Sequence, residues 1–152
     1  MPVTNYPNGI SSFGVTLYGT TAGNAPLTGP VFFVDTVNGV DAGNGNSASF
    51  PYQTLTYALS QVPSGTYATI FVSQGSTITI SSATALLLNV ANVRIVGLGT
   101  NGQRHDINYT TANTAAIPVS AATVTVQNSR HTGGFLSIAR AYTVTAAGFT
   151  LD

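Results

Sequence analysis

The clearest pattern of apolar and polar positions lies in three stretches that align without a gap: Ala85 to Val96, Ala116 to Gln127 and Ala141 to Asp152. Leu86 and Leu88 correspond to Ile117 and Val119 and to Tyr142 and Val144. Val93 and Ile95 correspond in turn to Val124 and Val126 and to Phe149 and Leu151. Apolar residues two apart, twice per unit, predict two short strands. Between them lie Asn89-Val90-Ala91-Asn92, Ser120-Ala121-Ala122-Thr123 and Thr145-Ala146-Ala147-Gly148, small or turn-forming residues too few to carry a crossover helix. The units recur after 31 and then 25 residues, a spacing typical of solenoids, in which each repeat buries its apolar face against the next. The expected fold is all-β, a parallel β-helix with like positions stacked about 4.8 Å apart. The six extra residues of the first interval are expected at Gly97 to Asp106, as an enlarged loop.

Upstream, Val31 to Asp35 predicts a strand and Asn38 to Asn46 a loop. A helical pattern opens at Phe50-Pro51, with Leu55, Ala58, Leu59 and Val62 on its apolar face; Ser49 is the expected N-cap, Pro51 sits just inside, and Pro63-Ser64-Gly65 ends it. Ala68 to Val72 and Thr77 to Ile80 read as strands. A helix between the first strand and the repeats suits a cap over the end of the solenoid. Met1 to Pro30 is rich in Pro, Gly, Asn and Thr and shows no sustained period, yet it contains Tyr6, Ile10, Phe13, Val15, Leu17 and Tyr18. It reads as an extended arm that docks on its own body or on a partner. The chain thus divides into an arm (1–30), a first strand, loop and capping helix (31–66), and β-helix coils (67–152). The last unit has no capping segment after its second strand, so the coils are expected either to continue past residue 152 or to be covered there by another chain.

Composition narrows the function. The 152 residues suit one domain. Only 5% are charged, four Arg and four Asp, and the formal net charge is zero, so no basic nucleic-acid footprint is present. The 43% hydrophobic content argues against disorder, and no run of 18 apolar residues suggests a membrane span. With no cysteine there are no disulfides or thiolate metal sites. Met-Pro-Val-Thr-Asn is unlike a signal peptide, which implies synthesis in the cytoplasm.

Candidate chemistry is sparse. Glycosidases need two carboxylates around a groove, and the chain offers Asp35, Asp41, Asp106 and Asp152. Asp35 and Asp41 flank a Gly/Asn turn and are expected to accept backbone hydrogen bonds; with Asn38, Asn44 and Asn46 they would make at most a weak calcium site. Arg104-His105-Asp106 and Arg130-His131 place two Arg-His pairs 26 residues apart, about one coil. They are expected on the solenoid surface as polar loop residues, available for a protein or glycan contact. No nucleophile, Lys base, metal set or phosphate loop accompanies them, so no catalytic residues, metal or cofactor are expected. The aromatics fall mostly on strand or cap positions, where core packing is expected, and there is no Trp for a sugar-stacking platform.

Phe32-Phe33-Val34-Asp35-Thr36-Val37-Asn38-Gly39-Val40-Asp41, a Gly/Asn loop, Phe50-Pro51-Tyr52-Gln53-Thr54-Leu55 and Ile70-Phe71-Val72 together resemble the opening of right-handed parallel β-helix proteins of the pectate-lyase-like class. The leader Thr4-Asn5-Tyr6-Pro7-Asn8-Gly9-Ile10-Ser11-Ser12-Phe13 resembles the start of a group of tailed-bacteriophage virion proteins in which such an arm precedes the β-helix. The likeness extends to Val93 to Gly99 and to Phe135-Leu136-Ser137-Ile138-Ala139. The resemblance implies a structural virion protein that grips the capsid through Thr4, Asn5, Tyr6, Pro7, Asn8, Ile10 and Phe13 and projects its β-helix as a head fibre or decoration. It implies capsid or other virion proteins as partners, a homotrimer, and a place in the virion. The alternative is a tailspike or receptor-binding protein that binds host surface glycan or cleaves it as a lyase or glycosidase. An adhesin using Thr and Asn ladders is a third reading.

Overall fold

A computed structural model describes residues 10–12, 15–18, 29–134 and 140–152. In the leader, β1 (Ile10–Ser12) and β2 (Val15–Tyr18) pair antiparallel. Part of the arm is therefore a hairpin rather than a single extended strand, in keeping with the β-favouring run Val15-Thr16-Leu17-Tyr18.

From Gly29 onward the chain is a parallel β-helix of about three turns. β3 (Val31–Val34) leads through a loop to α1 (Leu55–Ser60), followed by β4 (Ala68–Val72), β5 (Thr77–Ile80) and β6 (Val93–Gly97). A 3-10 turn at Asn101–Gln103 precedes β7 (Asp106–Tyr109), β8 (Ile117–Val119), β9 (Thr125–Gln127), β10 (Arg130–Gly133), β11 (Tyr142–Val144) and β12 (Thr150–Leu151). Three parallel sheets form the walls: β3-β4-β6-β9-β12, β5-β7-β10, and β8-β11, the last extended by a bridge from Leu88 to Val119.

The register follows the repeat. Val119 stands between Leu88 and Val144, and Val126 between Ile95 and Leu151. One inward column runs Phe32, Ile70, Ile95, Val126, Leu151, and burying each Ile or Val within it contributes roughly 1.5–3 kcal/mol. The corners repeat too: Asn92, Thr123 and Gly148 hold the same place before the second strand, all left-handed, with φ of 61°, 58° and 76°. Their peptides link the coils, Asn92 N–H donating to Ala122 O and Thr123 N–H to Ala147 O.

Two elements differ from the sequence expectation. The helix starts at Leu55, with Thr54 as N-cap accepting from the Tyr57 N–H at 3.1 Å, rather than after Ser49. Tyr52 instead pairs with β3, donating to Phe33 O at 2.8 Å and accepting from the Asp35 N–H at 2.9 Å; this sheet bonding holds residues before Thr54 out of the helix. β5 is the expected strand Thr77 to Ile80, but its counterparts in the next coils, β7 and β10, were not included in the two-strand repeat. The enlarged loop lies where expected. Ile95 and Ile107 are twelve apart, whereas their partners Val126 and His131 are five apart.

Candidate functional site

The densest group of polar side chains joins that loop to the coil above it. Three consecutive residues reach across from the third coil. Asn128, left-handed at φ 54°, donates through Nδ2 to the carbonyls of Gly97 (2.8 Å) and Gly99 (2.9 Å). Ser129 Oγ lies 3.0 Å from His105 Nε2. Arg130 grips Asp106 with two parallel bonds, Nη2 to Oδ2 at 2.7 Å, because Arg130 and Asp106 are register partners on β10 and β7.

His105 is the surprise. It is completely buried rather than on the surface, and its Nδ1 has no hydrogen-bond partner. A Cβ added at Gly97 would sit 2.3 Å from Nδ1, so the ring fits there only because residue 97 has no side chain. The two Arg-His pairs do not project side by side: His131 stands opposite Ile107, two positions past His105. Orphaned buried N–H groups are rarer than under-satisfied acceptors, which favours the tautomer in which Nε2–H donates to Ser129 and Nδ1 carries the unpaired lone pair. In that state His105 is not a base for the Ser129 hydroxyl. Burial, first of all, and the neighbouring His131 push its pKa down to about 4.

His131 follows Ile78 and Ile107 in register but is itself exposed. Its ring stacks on Tyr109 (centroids 5.9 Å apart) and meets Tyr142 edge-on (5.5 Å), and Tyr142 in turn packs on Phe149 (5.1 Å). The Tyr109 hydroxyl lies 3.3 Å from His131 Nδ1. Burial pushes Tyr109 up to about 12, and Tyr142 upward as well. Arg104 lies in the loop and Arg130 is half exposed.

The carboxylates serve the scaffold. Asp35 Oδ1 accepts from the Val37 and Asn38 N–H groups. Asp41 Oδ1 accepts from Gln53 and Thr54 N–H, and its Oδ2 from the Thr54 hydroxyl at 2.6 Å. Asp152 Oδ2 accepts from Gln127 Nε2, whose Oε1 accepts from Arg94. Burial alone would raise Asp35, but the Asn38 and Val37 N–H groups outweigh it and lower its pKa; the Arg130 bonds lower Asp106. A glycosidase general acid needs the opposite shift. Among the described residues, no three His, Asp, Glu or Cys gather as a metal set, and no helix is long and apolar enough to cross a membrane.

Of the expected arm contacts, Ile10 lies in β1, and Thr4, Asn5, Tyr6, Pro7, Asn8 and Phe13 lie outside the described residues, as does the 135–139 segment. Sequence reasoning named Arg130 but missed Asn128 and Ser129 beside it; their signal was the asparagine after the second strand, at a corner the other units fill differently. Compared with protein-family models, curated proteins and solved structures, the chain matches none.

Proposed function

We propose that this chain is a structural protein of a tailed-bacteriophage particle, anchored to the capsid by residues 1–30 and projecting its β-helix as a head fibre or decoration. The observation that carries the reading is that all four carboxylates accept hydrogen bonds from the scaffold itself. The groups that would do chemistry hold turns and coils together, and the arm's resemblance supplies the particle. The exposed apolar side chains at the far end, Val144 and Leu151, offer a contact between copies, for which a homotrimer is the proposed arrangement. Gold-conjugated antibodies against the arm and against the coils, applied to intact particles, test the reading. Coil label on the head with the arm masked is expected; label at the tail tip contradicts it.

A second reading, a receptor-binding protein, draws on one observation. On the face of β5-β7-β10 away from the core, Thr77, Asp106 and Arg130 stand in one register row and Thr79, Asn108 and Thr132 in another. Such a flat polar surface suits sugar hydroxyls. Retention of the protein on host surface polysaccharide, lost in Asn108→Ala, is its test.

A further inference from the structure

The loop between β6 and β7 is the longest of the three connections between these two walls. Asn128, Ser129 and Arg130 fasten it to the third coil, and the Arg130 N–H donates to His105 O at 3.1 Å. Beneath it, Leu98 N–H donates to Val72 O and Asp106 N–H to Ser76 O, both at 2.8 Å. At the centre of this fastening is an imidazole with one nitrogen bonded to Ser129 and the other facing Gly97 without a partner.

We infer that the 98–105 loop is an acid-released latch on the third coil, with the buried imidazole of His105 as its trigger. An imidazolium has two N–H donors. Nε2–H is already accommodated by Ser129, whereas a proton on Nδ1 of the fully buried ring has no hydrogen-bond partner in the closed arrangement; Asn128 O borders the same space beside Gly97 without bonding it. A buried charge without a partner is costly. The surroundings offer little relief. From the loop comes Arg104; from β7 comes Asp106, whose charge favours the imidazolium, although burial outweighs it and both its oxygens are bonded to Arg130. From β10 come Arg130 and His131; from β6 comes Arg94, which is bonded to Gln127. β4 and β5 carry no titratable side chain. Asp152, against Asn128 through its main-chain oxygen, turns its carboxylate to Gln127. Swinging the loop away lets the imidazolium reach water and leaves the strands on either side paired.

Because His105 titrates at about 4 when the latch is closed and near its ordinary 6.5 when released, opening takes up a proton as pH falls through that window. The opening constant should rise about 30-fold from roughly pH 7.5 to roughly pH 5. Native-state hydrogen exchange on the intact chain, corrected for intrinsic rates, tests this at the Arg130 amide, which is bonded to His105 O, against the Val126 amide in the β9 core. The expected result is that Arg130 opens more readily than Val126 at every pH, with the 30-fold rise. Equal protection at the two amides means that only whole-molecule unfolding occurs and overturns the latch, as does a pH-independent Arg130. The variant His105→Gln should abolish the rise and His131→Gln preserve it. Should His105→Gln fail to fold, imidazole NMR of the unaltered chain decides: titration of His105 at its ordinary value in the closed state contradicts the inference.

Discussion

The first and last described coils are built from the same residue positions and covered differently. In the column Phe32, Ile70, Ile95, Val126, Leu151, the first four side chains are 8%, 0%, 2% and 2% exposed and the fifth is 51% exposed. At the β3 end, Gly45 O accepts from the Phe33 N–H, Tyr52 bonds on either side of it, and the Tyr52 ring lies 5.8 Å from Phe32 while α1 adds Leu55 and Leu59 to the core. At the other end, among the described residues, β11 pairs with β8 alone and β12 with β9 alone. The contrast teaches that stacking identical coils supplies pairing and apolar columns, while the cover over a column comes from residues outside the repeat. The cover at β3 is made by non-repeating residues, chiefly Tyr52 and the carboxylates that hold its loop.

The largest way to break this comparison is Tyr52→Ala, which removes a buried ring from the closed end and should cost about 3–5 kcal/mol in denaturant unfolding. Leu151→Ala, at the equivalent place on the open end, should cost well under half of that in the same assay. Acid separates the two halves next. A His whose folded pKa is depressed lends stability above its unfolded value that is lost as pH falls toward the folded one. His105, at about 4 against 6.5, should therefore take about 3 kcal/mol from stability between roughly pH 7 and pH 4. The lowered Asp35 carboxyl at the closed end has its window further down, below its ordinary 3.8. Urea melts across pH for the unaltered chain and His105→Gln should differ in the upper window alone.

A smaller effect is expected from Asp41→Ala, which strands the Gln53 and Thr54 amides and should cost about 1–3 kcal/mol, seen as a lower thermal midpoint. The smallest is a gain. Thr123 is a β-branched residue at φ 58° where its counterpart in the next coil is Gly148, so Thr123→Gly should raise stability by about 1 kcal/mol.

Much of this was legible in the chain. The pairings Leu88 with Val119, Val119 with Val144, and Val126 with Ile95 and Leu151 follow from apolar spacing alone, because a one-residue slip would turn a strand inside out. The role of Asp35 follows from turn chemistry, whereas Asp41 accepts from Gln53 and Thr54, a dozen residues further along. The β7 and β10 wall did not show itself, because His131 and Gly133, at alternate positions of β10, present no apolar alternation. Ser49 has the chemistry of an N-cap, but the pairing of Tyr52 with β3 decides where the helix starts, and that bond spans some twenty residues of sequence. His105 looked like a surface residue because its neighbours are charged. Its burial depends on Gly97, at the end of β6, and Ser129, in the turn between β9 and β10.

The chain has no cysteine, so single thiols report on each end without background. Labelling rates of Leu151→Cys and Val34→Cys, followed over a range of protein concentrations, test the closed-end and open-end account most directly. The account predicts rapid labelling at residue 151 in dilute solution, slowing as copies associate, and slow labelling at residue 34 throughout. Equal protection of the two thiols at every concentration would contradict it.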